Sequence, residues 1–373
     1  MLTPANYWVG KHNSDIYTYE LLKSGLEKAR PLDMLVSDSR LLILQANASY
    51  AFAAALWRSK LPNVSQAMTK LWHFSRRAVW LPPSVIERAQ ADIVYSILLF
   101  PVNRLPVPIV LETDFNHWGI PALRTEIDRL RYNPPWIVER SAVILVRHQA
   151  SLDALKEQYP DQAHKGILTP SMLPGCEAIT EEQLTAKFAA FARPVIKVLF
   201  VGNAAREKGV RQLVQAYQAL KERYPLELTV VSRFSDGPVT FPPDVRVLSN
   251  LPPAEVYRLM RKAHIFAMPA TRDSHGRVFW EAMAAGCALL APCFTPHQEL
   301  FGEFGLTADP TSLPDVVRAL QGLVENPGLC SERALSARKA FIQKFHHSVA
   351  INTYYEAFRR AAAQPRPAGF HGR

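Results

Sequence analysis

The stretch from residue 265 to residue 300 constrains the fold more than any other, because two short apolar runs flank a polar loop and a helix-forming segment. Residues 265–268 and 288–291 have the length and composition of buried strands, and residues 278–285 can form a helix. Gly286 follows at the position where glycine commonly ends a helix. The pattern predicts a strand–loop–helix–strand unit.

Charged side chains are concentrated in the loop and the helix of this unit. Asp273 lies in the loop and Glu281 in the helix, with Arg272, His275 and Arg277 around them. Open parallel sheets bind ligands where a strand's carboxyl end leads into a helix N-terminus, because free N–H groups and the positive helix end converge there. This location favours an anionic ligand.

The same residues carry a family signature. Asp273 and Glu281 are separated by seven residues, and Glu281 opens the sequence Glu-Ala-Met-Ala-Ala-Gly. This resembles the carboxylate-x7-carboxylate, E-A-M-A-x-G signature of the family-4 (group 1) retaining glycosyltransferases of the GT-B fold. The family usually has Glu at the first acidic position and Gly-Phe-Gly after it, and here only Gly276 keeps its place. Without this context, Glu281 would be an ordinary exposed helix residue.

A second motif opens another strand–helix unit. Residues 195–201 form an apolar run, and the following loop contains Gly202, Arg206 and Lys208 before apolar residues recur at helical spacing. A loop with glycines and two cations at a helix start is suited to phosphate, since N–H donors and side-chain cations point the same way.

This loop also resembles the family, whose members read roughly V-G-R-x-x-x-E-K-G at this place. The Glu-Lys-Gly part, with Lys208 at its centre, matches in position, whereas Asn203 stands where the arginine is expected. The resemblance implies that Lys208 grips the donor diphosphate and that Arg206 replaces the missing arginine. The alternative is a surface lysine.

Three further positions are weaker candidates. The first loop of the family carries glycine, and Gly10 is the residue available for that role, unless it is only a turn glycine. Glu299 is what remains of a G-G-x-P-E loop, which reads Thr-Pro-His-Gln-Glu here. The family often has a histidine at the end of the strand that here finishes at Thr113, and His117 is the nearest one.

Strands alternate with helices on both sides of a charged helix near residue 190 in this 373-residue chain. Such alternation predicts parallel sheets covered on both faces. We therefore expect an α/β chain with two Rossmann-like domains facing a cleft. The charged helix suggests a division between residues 1–190 and residues 191–345, and residues 363–373 are expected to be a disordered tail. The resemblance implies that the first part is the acceptor-side domain, that the second is the nucleotide-sugar domain, and that a helix at residues 346–362 crosses back to the first.

Composition excludes several classes of protein. With 48% apolar and 20% charged residues, the chain is an ordinary globular protein, and its apolar runs are far shorter than the ~20 residues of a membrane span. The four cysteines form no C-x-x-C pair, which favours a reduced cytoplasmic setting without a signal peptide. The net charge of +10 suits an anionic partner or merely a basic solvated face, and no nucleic-acid motif is present.

Basic and aromatic residues cluster between residues 57 and 80. They include Trp57, Lys60, Lys70, Trp72, Arg76, Arg77 and Trp80. Such a segment can dock on an anionic membrane, as in glycosyltransferases that use lipid-linked acceptors, or it can pack on its own domain with its charged ends in water. The expected location is therefore cytoplasmic, with peripheral binding at the inner face of the membrane as one option.

The resemblance implies an activity and a role for each matched residue. A sugar would pass from a nucleoside diphosphate to the hydroxyl of a saccharide or lipid-linked acceptor, with retained anomeric configuration, as in cell-envelope polysaccharide synthesis. No cofactor or metal would be needed, since Lys208 and Arg206 can offset the charge on the leaving diphosphate. Glu281 would bind the ribose, and Asp273, with N–H groups near His275 and Gly276, would hold the sugar.

Two alternatives remain open. A nucleotide-sugar epimerase on the same fold would keep the donor site but would need acid and base residues in the first domain. A non-catalytic relative would bind the nucleotide without turnover, which the departures at Asn203, Asp273 and Thr295 suggest. The identity of the product would distinguish an epimerase from a glycosyltransferase. Nucleotide binding without turnover would identify the non-catalytic relative.

Overall fold

The structure is a computed structural model that describes residues 78–79, 83–88, 91–97, 100–115, 135–169, 177–189, 195–273 and 276–367. These residues form two compact units. The first contains the described residues up to residue 169 together with those from His347 onward. The second contains residues 177–346.

The first unit is built on a parallel sheet. Its elements before residue 170 are β1 (Ala78–Val79), α1 (Pro83–Arg88), β2 (Val94–Ile97), β3 (Phe100–Pro101), β4 (Ile109–Glu112), α2 (Pro135–Arg140), β5 (Ser141–Val146), α3 (Gln149–Gln158) and β6 (Gly166–Leu168). Four strands lie in the order β2–β4–β5–β6, and β1 pairs separately with β3. The central strands β4 and β5 are fully buried, as apolar runs in a parallel sheet should be.

The second unit contains a six-stranded parallel sheet in the order β12–β11–β10–β7–β8–β9. Its elements are α4 (Glu181–Ala189), β7 (Ile196–Val201), α5 (Val210–Leu220), β8 (Leu226–Val231), β9 (Arg246–Leu248), α6 (Pro253–Lys262), β10 (Ile265–Ala267), α7 (Arg277–Ala284), β11 (Ala288–Pro292), α8 (His297–Phe301), β12 (Gly305–Ala308), α9 (Leu313–Glu325) and α10 (Pro327–Ala340). This is the doubly wound order, and the chain reverses direction across the sheet between β7 and β10.

The charged helix near residue 190 suggested that the second domain begins at residue 191. In the structure this helix is α4 and belongs to the second unit, which therefore begins earlier. The Lys187 Nζ atom donates to the carbonyls of Ala285 and Gly286, 2.9 and 2.7 Å away, at the end of α7. The backbone N–H of Ile179 donates to Ala284 O at 2.9 Å. These contacts satisfy carbonyls that a helix end leaves without partners, and they attach α4 to α7.

The last helix, α11 (His347–Ala362), returns to the first unit. Its buried side chains pack on β4 and β5, where they form one cluster with Val110, Val143 and Leu145. The Tyr354 hydroxyl also donates to Oε2 of the buried Glu112 at 2.9 Å. Two α/β units with parallel sheets and a C-terminal helix that crosses back confirm the fold class expected from the sequence.

Several predictions lie outside the described residues. They concern Gly10, His117, His275 and the residues named above for the basic and aromatic cluster. Among the residues that the structure describes, no helix is long and apolar enough to cross a membrane.

Candidate active site

Two loops meet at the carboxyl edge of the second sheet, where its strand order reverses. One follows β7 and the other follows β10, and these strands are neighbours. Gly209 ends the first loop with a left-handed φ of 81°, and a Cβ there would lie 1.8 Å from the carbonyl oxygen of Pro269 in the second loop. The backbone N–H of Thr271 donates to Glu207 O at 2.9 Å. The two loops therefore form one packed layer at the place where doubly wound sheets bind ligands.

Lys208 reaches from the first loop to the second. Its ammonium donates to Oδ1 of Asp273 at 2.7 Å and to the Arg272 carbonyl at 3.1 Å. Gly202 makes room for this side chain, since a Cβ there would lie 3.1 Å from Cγ of Lys208. An ammonium has three N–H donors, and within the described residues two are used. The third remains for a ligand, and the side chain is 22% exposed.

Asp273 lies between two donors. Its carboxylate is 8% exposed, and Oδ2 lies 2.9 Å from Nε2 of His297. Burial by itself would raise the pKa of this carboxyl, but the positive charge of Lys208 and the hydrogen bond to His297 outweigh burial and hold the pKa well below its ordinary value. Asp273 is therefore an anion throughout the neutral range and accepts hydrogen bonds through both oxygens.

His297 was not predicted as a site residue. It is the first residue of α8 and is fully buried, and its ring lies among the rings of Phe279, Phe294 and Phe301 at centroid distances of 5.6, 5.1 and 5.7 Å. The signal in the sequence was its place just after β11, the strand beside β10, since the loops after neighbouring parallel strands share one edge of the sheet.

Gly276 and Glu281 lie in the segment that follows Asp273. Gly276 is the N-cap residue of α7, with a left-handed φ of 59°, and a Cβ there would lie 2.9 Å from Nε2 of His297. Glu281 is half-buried on the same helix. Burial raises the pKa of the Glu281 carboxyl, and the charge of Arg277 one turn earlier opposes this. A carboxylate with this environment gains from hydroxyl donors supplied by a ligand.

The remaining candidates have exposed side chains. Arg206 is exposed, and its Nη1 lies 3.5 Å from the Asp236 carbonyl in the loop after β8. Asn203 is exposed, and its carbonyl accepts from the backbone N–H of Ser235 at 2.9 Å. Glu299 is exposed on α8. The structure thus brings Lys208, Asp273, Gly202 and Gly276 together and does not place Arg206 beside them.

Residues 195–326 match the family described as Glycosyl transferases group 1. Two curated relatives are similar over part of the chain. The D-inositol 3-phosphate glycosyltransferase of Corynebacterium urealyticum is 29% identical over 178 residues, which is 42% of this chain and 41% of that protein. The O-antigen chain mannosyltransferase B of Escherichia coli is 29% identical over 171 residues, which is 42% of this chain and 45% of that protein.

The likeness to a solved structure extends further along the chain. A glycosyltransferase from Rickettsia africae superposes with a TM-score of 0.58 and 14% identity, over 94% of this chain and 95% of that one. This supports the fold of the whole chain. The chain covers less than half the length of the two curated relatives. The family resemblance expected from Lys208, Asp273 and Glu281 is confirmed for the second unit.

Proposed function

We propose that this chain, which carries a group 1 glycosyltransferase domain at residues 195–326, transfers a sugar from a nucleoside diphosphate donor to an acceptor hydroxyl with retained anomeric configuration. The observation that carries the proposal is the Lys208–Asp273 pair at the switch point of the sheet of that domain. It combines a cation for a leaving diphosphate with an anion for a sugar.

Lys208 acts on the leaving group in this proposal. Its third N–H can donate to an anion, and the positive N-terminus of α5, which begins two residues after Lys208, favours negative charge. Negative charge grows on the diphosphate as the bond to the sugar breaks, so a fixed ammonium stabilises the transition state more than the ground state. Arg206, on the same loop as Lys208, adds long-range attraction to the anion, while its Nη1 lies 3.5 Å from the Asp236 carbonyl.

Asp273 and Glu281 act on the sugar and the ribose. Asp273 has two ionised oxygens, each holding one protein donor, and a carboxylate oxygen can accept a further hydrogen bond from a sugar hydroxyl. Its negative charge favours the positive charge that develops at the anomeric carbon. Glu281 accepts from the ribose hydroxyls, which change little during the reaction. Gly202, Gly276 and Glu299 are the further donor-binding residues of this proposal, and the roles expected for His275 and Gly10, which lie outside the described residues, stay predictions.

The proposed acceptor is a saccharide or a lipid-linked saccharide, and the proposed location is the cytoplasm or the inner face of its membrane. The names of the two curated relatives, for an inositol phosphate and an O-antigen chain, support a hydroxyl acceptor of this class. The net charge of +10 supports attraction to an anionic surface. Sedimentation with anionic and neutral vesicles tests the proposed attraction to an anionic membrane. Equal binding to both kinds of vesicle would contradict this attraction.

A donor screen followed by product analysis tests the activity. Thermal shift with nucleotide sugars identifies the donor, since a ligand at 100 times its Kd stabilises a protein by about 2.7 kcal/mol. The selected donor is then incubated with saccharide acceptors, and NMR of the product gives the anomeric configuration. We expect a glycoside with the configuration of the donor and release of the nucleoside diphosphate. An epimerised donor, or binding without turnover, would refute the proposal.

A further inference from the structure

His297 contacts the proposed catalytic carboxylate from the stretch Thr-Pro-His-Gln-Glu, in which the sequence had marked Glu299 and not the histidine. Its Nε2 lies 2.9 Å from Oδ2 of Asp273, on the opposite side of the carboxylate from the ammonium of Lys208 at Oδ1. Each carboxylate oxygen therefore has one protein donor, supplied by the loops after β7 and β11. The two donors fix both the position and the rotation of the carboxylate plane.

The proton between His297 and Asp273 can be assigned from the chemistry of the pair. An ionised carboxylate only accepts hydrogen bonds, so Nε2 must carry the hydrogen. The other ring nitrogen, Nδ1, is buried and has no hydrogen-bond partner among the described residues. The hydrogen bond to Asp273 is therefore the polar contact that orients the ring among the described residues.

The surroundings hold the ring in this orientation. Phe279, Phe294 and Phe301 pack around it, and the absence of a side chain at Gly276 lets Nε2 approach, because a Cβ there would lie within 2.9 Å. A histidine with no exposed surface does not meet a ligand directly. Among the described residues, its hydrogen-bond partner is Asp273.

We infer that His297 is a positioning residue, which donates its Nε2 hydrogen to Asp273 and holds the carboxylate at the angle required by the donor sugar. The inference rests on the proposed transfer reaction for its kinetic consequence. Its structural part, the orientation of the carboxylate, does not depend on that reaction. Misplacing a reacting group by about 1 Å can cost about a hundredfold in rate.

Two substitutions of His297 separate positioning from packing. H297F keeps an aromatic ring among the three phenylalanines and removes the donor. H297Q places an amide N–H at nearly the same distance from the backbone as Nε2. We expect H297F to lower kcat by roughly tenfold to a hundredfold with a much smaller change in donor KM, and H297Q to recover most of that loss.

A matched control is another buried histidine of the second unit. His264 precedes β10 at the amino edge of the sheet, is 4% exposed, and accepts from the backbone N–H of Lys197 at 3.0 Å. H264F should lower Tm and leave kcat near that of the unsubstituted protein. If H297F changed only Tm, as expected for H264F, or if H297Q were no more active than H297F, the inference would be wrong.

A measurement without turnover keeps this result distinct from the proposed function. Crystal structures of the unsubstituted protein and of H297F should show the Asp273 carboxylate rotated or displaced in the variant. An unmoved carboxylate would overturn the inference even if transfer were lost. A protein that transfers no sugar at all, yet shows the displaced carboxylate in H297F, would refute the proposed function and leave the positioning role intact.

Discussion

Lys208 and Asp273 neutralise each other across 2.7 Å, and this pairing sets what each can offer a ligand. Removing the lysine has two consequences, since the diphosphate loses a cation and the nearly buried carboxylate loses its charge partner. We predict that K208A lowers kcat/KM by a factor that corresponds to about 2 to 4 kcal/mol of lost transition-state stabilisation. Most of this loss should appear in kcat. Steady-state kinetics with saturating acceptor measures this change.

The control for K208A is another lysine–aspartate pair in the same unit. Lys221 donates to Asp244 at 2.9 Å on the surface, away from the loops of the site. Exposed pairs contribute about 0–1 kcal/mol to stability. K221A should therefore leave kcat/KM unchanged. If K208A behaved like K221A, Lys208 would be an ordinary surface residue.

Asp273 and Glu281 should differ in the kinetic constant that they affect. D273N should depress kcat, because the residue is placed near the sugar whose anomeric carbon gains positive charge, and D273E, which keeps the charge and restores the family residue, should be more active than D273N. E281A removes a hydrogen bond that stabilises the ground state and the transition state equally, by about 1.5 to 3 kcal/mol. Donor KM should therefore rise about tenfold to a hundredfold, while kcat should stay nearly unchanged. If D273N left kcat unaltered and E281A left donor KM unaltered, the family-like spacing of Asp273 and Glu281 would be a coincidence.

The two carboxyls should also differ in their response to pH. The pKa of Glu281 is raised by burial, so this group takes up a proton as pH falls through a value above the ordinary one for glutamate. Protonation weakens its acceptance of ribose hydroxyls, and donor affinity should fall with it, whereas Asp273, with a depressed pKa, stays ionised. Titration calorimetry at several pH values checks this, and E281Q should lack that part of the pH dependence.

At the scale of single residues, the sequence was informative where a motif fixed the spacing. The loop glycines, Lys208 and Asp273 were predicted because each sits at a strand end or helix start with recognisable chemistry. His297 was not predicted, since its role depends on the loops after β10 and β11 meeting in space and on a gap at Gly276. Arg206 was expected beside the diphosphate, but its side chain extends towards the neighbouring loop at Asp236.

At the scale of elements, helical and strand periodicity located most of the second unit. Helix α5 buries Val210, Leu213, Val214, Tyr217 and Leu220, which are the apolar positions that predicted it. Helix α10 was not predicted, because its buried face consists of Cys330, Ala334, Ala337 and Ala340. Small side chains allow a helix to pack closely, but they produce no strong apolar pattern in the sequence.

The packing of the two site loops on each other gives an element-scale prediction. Gly209 combines a left-handed φ with a Cβ position that would collide with the Pro269 carbonyl. Because the two loops must separate to make room for the new methyl group, we expect G209A to lower the free energy of unfolding by about 1 to 3 kcal/mol. The same separation should weaken nucleoside diphosphate binding. Denaturant unfolding and calorimetry measure these two effects.

Gly328 provides the comparison for G209A. It lies in the first turn of α10, and a Cβ there would approach nothing closer than 3.5 Å. Alanine is the better helix former, so G328A should be neutral or slightly stabilising and should leave nucleotide binding unchanged. If G209A were equally harmless, the contact between the loops would not be needed for the site.

At the scale of the whole molecule, the chain returns to its first unit through α11, and a buried polar cluster fixes that helix. Glu112 is 1% exposed, accepts from Tyr354 and Tyr95 at Oε2, and pairs with Arg147 at Oε1 over 2.6 Å. The apolar positions predicted the helix, and the family resemblance implied its return to the first unit. It did not predict the cluster, because Glu112 and Tyr354 are 242 residues apart along the chain.

The cluster around Glu112 allows a test of whether the stability of the first unit affects nucleotide binding by the second. Y354F removes one hydrogen bond to a buried carboxylate, which is worth about 1.5 to 3 kcal/mol, and should increase amide hydrogen exchange in α11 and lower the stability of the first unit. Y224F, which removes an exposed hydrogen bond to Glu325 in the second unit, should change stability little. Nucleoside diphosphate affinity should stay unchanged in both variants, since Lys208, Asp273 and Glu281 all lie in the second unit. A loss of nucleotide affinity in Y354F would show that the order of α11 is transmitted to the donor site.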